Sequence, residues 1–186
     1  MSRIRITGGE WRSRLVDVGD LPGLRPTPDR VRQTLFNWLG QDLSGLSCLD
    51  LFAGSGVLGF EAASRGAAEV VLVESNPAAV AALRKNAARF GDSRLAVTRA
   101  DALEFAALTA SQGRQFDLVF LDPPYRQDWL TRLWPLLPVL VAVNGWLYVE
   151  AETVVRPPNL WQLARQGKAG QVCYHLLQRM GTSDQQ

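Results

Sequence analysis

A tetrapeptide, Asp122-Pro123-Pro124-Tyr125, closes the apolar run Phe116-Asp117-Leu118-Val119-Phe120-Leu121. That run has the length and apolarity of a buried strand, so the four residues stand at its tip. Asp122 offers acceptor oxygens to the hydrogens of an exocyclic amine. Pro123 and Pro124 stiffen the backbone and hold the preceding residue extended, which aims a carbonyl, that of Pro123, at the same amine. Tyr125 supplies a face on which a nucleobase can stack. The chemistry this suits is attack by a base amino group. Such a nitrogen is a poor nucleophile because its lone pair is delocalised into the ring. Holding both of its hydrogens favours a more tetrahedral nitrogen, and an in-line displacement then depends mostly on alignment. A displacement of this kind needs no metal.

The electrophile is suggested upstream, by Asp50-Leu51-Phe52-Ala53-Gly54-Ser55-Gly56. Gly54, Gly56 and Gly59 match G-x-G-x-x-G between a predicted strand and a predicted helix, and Glu74 ends the next strand, where an acid can bind ribose hydroxyls. Dinucleotides and S-adenosylmethionine share this corner of the fold, so the pattern alone leaves both open. Two features favour the sulfonium cofactor. Asp50, just before the loop, suits a positively charged amino-acid moiety, and the chain has no room for the substrate domain of a dehydrogenase. Asp101, after the third strand, is placed to hydrogen-bond an adenine amino group or to cap the helix that follows. The expected cofactor residues are therefore Asp50, Phe52, Gly54, Gly56, Glu74 and Asp101, with S-adenosylhomocysteine as the product. Ser55, Asp122 and His175 stand in the order of an α/β-hydrolase triad, but the serine lacks the G-x-S-x-G elbow. His175, the one histidine, reads as packed or surface structure on a strand.

The elements that must position these residues alternate. Residues 3–17 read as a β-hairpin turning at Gly8-Gly9. Residues 21–26 read as a loop. Thr27 as N-cap and Pro28 as first residue open a helix over 28–39, with Val31, Leu35, Trp38 and Leu39 on its apolar face. Strands follow at 47–52, 69–74, 94–99, 116–121 and 146–151. Helices lie between them at 57–65, from Asn76-Pro77 to Phe90, at 102–111, and near 128–142 with breaks at Pro135 and Pro138. Two strands, 161–167 and 171–179, turn at Lys168-Ala169-Gly170. The fold class is α/β: a Rossmann-like, doubly wound sheet, mostly parallel, with a C-terminal antiparallel hairpin and a small N-terminal hairpin-and-helix extension. In such a sheet ligands bind at the carboxyl ends of the strands, so a fourth strand beside the first would bring the Asp122 tip to the Gly54 loop. The expected organisation is one domain of 1–186, with an extension over 1–40, a catalytic core over 41–180 and a frayed tail over 181–186.

The chain has 186 residues, 47% of them hydrophobic, enough for one real core. It has no apolar stretch long enough for a membrane helix and no signal-like start, so a cytoplasmic protein without a membrane partner is expected. Cys48 and Cys173 read as reduced core thiols. Charge is uneven. Seven arginines (3, 5, 12, 14, 25, 30 and 32) oppose four acids in the first 32 residues, a local +3 within a total of +2, which leaves −1 for the rest. Eighteen of the twenty basic residues are arginine, a residue that grips phosphates bidentately. Arg5, Arg12, Arg25, Arg30 and Arg32 are the expected RNA contacts.

Longer motifs agree. Arg5-Ile6-Thr7-Gly8-Gly9-Glu10-Trp11-Arg12, Leu24-Arg25-Pro26-Thr27-Pro28-Asp29-Arg30-Val31-Arg32, Leu35-Phe36-Asn37-Trp38-Leu39, the Asp50–Gly59 loop, Asp122–Tyr125 and Ala169-Gly170-Gln171-Val172 resemble the RsmD family of bacterial small-subunit rRNA guanine-N2 methyltransferases. The Arg25–Arg32 segment is the specific part, because the glycine loop and the Asp-Pro-Pro-Tyr tip are shared with DNA adenine methyltransferases. The resemblance implies methylation of one guanine of 16S rRNA, guanine 966 in the usual rRNA numbering, from S-adenosylmethionine, on assembled or partly assembled 30S particles; separately, a monomer is expected. The alternatives are a DNA adenine-N6 methyltransferase, which would normally carry a larger target-recognition insert, and a nucleotide-binding, small dehydrogenase-like protein, which would leave the Asp122 tip unexplained.

Overall fold

Arg3 to Arg5 and Leu15 to Val18 alternate polar with apolar residues, and in the computed structural model they pair antiparallel as β1 (Ser2–Arg5) and β2 (Leu15–Val18), in the register Ser2↔Val18 to Arg5↔Leu15. The structure describes residues 2–19, 27–125 and 127–181. The predicted loop at 21–26, Arg25 and the tail from 182 lie outside them. The described chain divides into two compact units, residues 1–102 and 103–186, so the 1–40 extension belongs to the first unit.

In the first unit, β1 and β2 are joined by a longer excursion than the predicted Gly8-Gly9 turn, tied by Ile6 N to Arg14 O and Ser13 N to Ile6 O, both 2.9 Å. Helix α1 spans Asp29–Trp38, with Pro28 at the N-cap, one residue later than predicted. Its inner face is Val31, Arg32, Leu35 and Phe36. Trp38 and Leu39, predicted on that face, are only half-buried. Three parallel strands follow, β3 (Ser47–Asp50), β4 (Glu69–Glu74) and β5 (Leu95–Arg99), in the order β5-β4-β3. Helix α2 (Val57–Ser64) is buried at every position, and α3 (Pro77–Phe90) begins on the Asn76 side chain, whose Oδ1 accepts from Ala78 N and Ala79 N. Gly91 ends α3 in the left-handed conformation, at φ 66°, where glycine carries no Cβ penalty.

The second unit contains α4 (Ala102–Ser111) from its second residue, β6 (Phe116–Leu121), two short helices α5 (Trp129–Leu133) and α6 (Leu137–Leu140), then β7 (Val141–Ala151), β8 (Trp161–Ala169) and β9 (Val172–Arg179). Its strands run β6-β7-β9-β8. β6 and β7 are parallel, while β9 is antiparallel to both β7 and β8. β7 starts five residues earlier than predicted, because the apolar run Leu140-Val141-Ala142-Val143 fits strand as well as helix. Outermost β8 carries a bulge between Leu163 and Arg165. Its Leu163 is exposed. The fold is thus the expected α/β class, mostly parallel and closed by an antiparallel hairpin. Among the described residues no helix is long and apolar enough to cross a membrane.

Candidate active site

Three acids mark the carboxyl ends of the three parallel strands of the first unit: Asp50 closes β3, Glu74 closes β4, and Asp101 follows β5. The strands are in register (Asp50↔Leu72, Glu74↔Arg99), so these ends form one rim. Asp50 is buried at 2% exposure, while Phe52, Glu74 and Asp101 are half-buried. Glu74 organises the glycine loop. Its Oε2 accepts from Gly54 N at 2.9 Å and its Oε1 from Asn76 N at 2.7 Å. Each carboxylate oxygen has two lone pairs, so ribose hydroxyls can still donate to it.

Gly54 and Gly56 both take positive φ, 51° and 77°. A Cβ on Gly56 would lie 2.4 Å from Leu83 Cδ2 and 2.8 Å from Phe60 Cε2, and one on Gly59 2.3 Å from Leu72 Cδ2. Close helix packing therefore disfavours a side chain at both glycines, and at Gly56 the left-handed backbone does so as well, beyond any need for close approach to a cofactor. Ser55 is buried, and its Oγ accepts from Val57 N at 3.4 Å, inside the loop itself. The donor set fits an adenosyl cofactor: acceptors for hydroxyls at one strand end, a buried carboxylate beneath the loop, and a loop free of bulky side chains at Gly54 and Gly56.

In the second unit the Asp122 tip follows β6. Asp122 is half-buried, Pro123 buried, and Pro124 and Tyr125 exposed, with Tyr125 at 42%. The polar residue is thus held at the strand end and the aromatic ring is offered outward. Sequence reading missed its neighbours on β7. Register pairs Phe120 with Tyr148 and Leu121 with Val149, and the Phe120 and Tyr148 rings meet edge-on, with centroids 6.3 Å apart. Tyr148 Oη donates to Glu150 Oε1 at 2.9 Å, both residues being buried. Burial first, then the charge of Glu150, hold the Tyr148 phenol well above its usual pKa, and the charge of Asp122 adds to this. The available signal was two polar residues spaced i, i+2 in the otherwise apolar stretch 146–151. His175, buried on β9, accepts at Nε2 from Val155 N at 3.2 Å, a structural contact and not a triad's.

The expected RNA contacts separate. Arg5, Arg12 and Arg30 are exposed, and Arg25 lies outside the described residues. Arg32 is a correction: its side chain is 1% exposed and pairs with Glu61 and Asp29 at 3.3 and 2.9 Å, leaving no face for a phosphate. It belongs to the inner face of α1 with Leu35 and Phe36, spaced i, i+3 and i+4, a signal that was present in the sequence. Among the described residues no group of three or more His, Cys, Asp or Glu side chains could hold a metal.

A family model described as Conserved hypothetical protein 95 matches residues 4–178. The chain is 45% identical to ribosomal RNA small subunit methyltransferase D of Escherichia coli strain K12, over 98% of this chain and 94% of that protein. It is 39% identical to the protein of the same name from Haemophilus influenzae, over 94% and 93%. The solved structure of the Escherichia coli protein yhhF superposes with a TM-score of 0.87 at 43% identity, covering 97% of this chain and all (100%) of that one. The architecture is that of class I methyltransferases.

Proposed function

This chain belongs to the RsmD family, the family of the Conserved hypothetical protein 95 model, and we propose that it transfers a methyl group from S-adenosylmethionine to the exocyclic N2 of a single guanine in 16S rRNA, of the guanine 966 type. Near-full-length similarity to the Escherichia coli small-subunit rRNA methyltransferase D carries this reading. The cofactor supplies a methyl on a positively charged sulfur, ready for displacement. Asp50 would hold its amino-acid end, Glu74 would accept from the ribose hydroxyls, Asp101 would accept from the adenine amine, and Phe52, Gly54 and Gly56 would shape the wall. Asp122 and the Pro123 carbonyl take the two hydrogens of guanine N2, Pro124 keeps the turn rigid, and Tyr125 stacks on the base. Bound there, the cofactor would supply both the methyl and the sulfur leaving group for in-line displacement by the amine, and Asp122 would be the first acceptor of the proton that the guanine nitrogen sheds.

Arg5, Arg12, Arg25 and Arg30 are read as phosphate contacts, with the 30S particle, assembled or partly so, as the substrate. The protein is taken to act as a cytoplasmic monomer. Nucleoside mass spectrometry of 16S rRNA from a deletion strain, with and without the gene restored, tests the reading. The expected result is loss and recovery of one N2-methylguanosine; unchanged 16S rRNA modification would refute it.

A further inference from the structure

Helix α2 holds a carboxylate that the transfer chemistry does not use. Glu61 is fully buried, at 0% exposure. Its Oε1 accepts from Thr7 N at 2.8 Å, Thr7 Oγ1 at 2.9 Å and Arg32 Nε at 3.3 Å, and its Oε2 pairs with Arg65 Nη1. The donors come from the β1–β2 loop, from α1 and from the end of α2. Arg32 Nη2 donates in turn to Arg5 O at 2.7 Å, and Arg65 Nη2 to Thr7 Oγ1 at 3.2 Å. One turn on, Ser64 Oγ donates to Gly8 O at 2.6 Å and accepts from Trp11 N at 2.8 Å, while Glu10 N donates to Ser64 O at 2.7 Å. The fit leaves no slack: a Cβ on Gly9 would lie 2.0 Å from Ser64 O.

A buried ionic cluster gains little stability over well-packed apolar residues, whereas removing one member strands a charge. What such a cluster does fix is one arrangement. Here that arrangement is the course of the backbone from Arg5 to Trp11, which carries exposed Arg5 and leads directly into exposed Arg12. The element it is fixed to is α2, capped at its start by Gly56, the last residue of the cofactor loop. We propose that Glu61 is a positioning residue for RNA recognition: it clamps the arginine-bearing loop to the helix that follows the glycine loop, so that the grip on RNA phosphates and the seat of the methyl donor keep one register. The proposal rests on the reading that this loop touches rRNA.

Steady-state kinetics of the full chain on 30S particles tests it, using Glu61→Gln, Thr7→Val, Thr7→Ser and Arg12→Gln. Glu61→Gln removes the charge of the clamp. Thr7→Val removes only the hydroxyl, and Thr7→Ser restores it. The expected result is a KM for 30S raised about tenfold in Glu61→Gln and by a smaller factor in Thr7→Val. Thr7→Ser should match the parent, and S-adenosylmethionine affinity by calorimetry should be unchanged throughout. Arg12→Gln should also raise this KM, through direct loss of a phosphate contact. If Arg12→Gln raises KM while Glu61→Gln and Thr7→Val leave it alone, lowering only the melting temperature, the clamp is merely structural and the proposal falls. If Arg12→Gln has no effect, the reading of the loop as an RNA contact falls first and takes the proposal with it. Should Glu61→Gln not fold, the contrast between Thr7→Val and Thr7→Ser decides alone.

Discussion

The glycine loop after β3 and the Asp122 tip after β6 are both strand-end turns, yet they are made rigid by opposite means. The loop depends on distant residues: Glu74 anchors Gly54 from twenty positions away, and Leu83, Phe60 and Leu72 close around Gly56 and Gly59. The tip depends on its own covalent structure, two consecutive prolines whose φ is set by their rings. Under the proposed function, the loop that seats the cofactor is therefore exposed to lesions in many elements of its unit, whereas the tip is vulnerable chiefly at the groups proposed to act on the base.

The sharpest separation comes from Asp122→Ala. Turnover on 30S particles should fall by about 10²–10³-fold or more, by analogy with losing one preorganised transition-state contact. Cofactor affinity and melting temperature should stay near the parent values. A variant turning over at the parental rate in a single-turnover assay would remove Asp122 from the mechanism.

Gly56→Val attacks the other turn and should do the reverse. It places a β-branched residue at φ 77° against Leu83 and Phe60. Strain and overpacking together should lower stability by roughly 2–5 kcal/mol, read as a fall in melting temperature, with cofactor binding lost as a consequence. A stable Gly56→Val protein that merely fails to bind S-adenosylmethionine would show that close approach, and not packing, governs this glycine.

Milder changes refine the contrast. Glu74→Ala should weaken S-adenosylmethionine by about 1–3 kcal/mol in calorimetry, through a lost ribose contact and a loosened Gly54. Tyr125→Ala should weaken productive 30S binding by about 1–3 kcal/mol of base stacking, while Tyr125→Phe should be nearly silent because the ring remains. Equal losses in Tyr125→Phe and Tyr125→Ala would assign the effect to the hydroxyl.

The smallest expected effect is a pH dependence confined to the tip's unit. Burial lowers the pKa of His175 below its usual value, and its strand pairs with β7 at Val149. The folded state therefore binds fewer protons than the unfolded state. This histidine's contribution is complete above the unfolded pKa of about 6.5 and is lost as pH falls through that value. Melting temperature should decline between about pH 7 and pH 5, and His175→Gln should flatten that slope. An unchanged slope in the variant would place the acid sensitivity elsewhere.

Much of this was legible in the chain. Strands 69–74 and 116–121 and the helix 102–111 coincide with β4, β6 and α4, because each is an apolar or periodic segment bounded by clear punctuation. The rim acids and the tip were visible because motif spacing fixes them to strand ends. Arg32 and Glu61 were hidden for a different reason. A count of charges cannot distinguish a guanidinium that faces water from one that meets a carboxylate twenty-nine residues later in the interior. Only the i, i+3, i+4 companionship of Arg32 with Leu35 and Phe36 pointed inward, and nothing local marked Glu61 as its partner. The start of β7 was obscured by a run that satisfies helix and strand alike.

The bulge in β8 bears on how this protein behaves in a crowded solution. An outermost strand offers a row of backbone donors and acceptors to any neighbouring chain, and exposed Leu163 would add adhesive surface. The shift between Leu163 and Arg165 breaks the regular spacing of that row, and Arg165 and Lys168 would bring like charges together if two copies met edge to edge. Smoothing the bulge and neutralising both cations should leave β8 an edge more open to pairing with another copy.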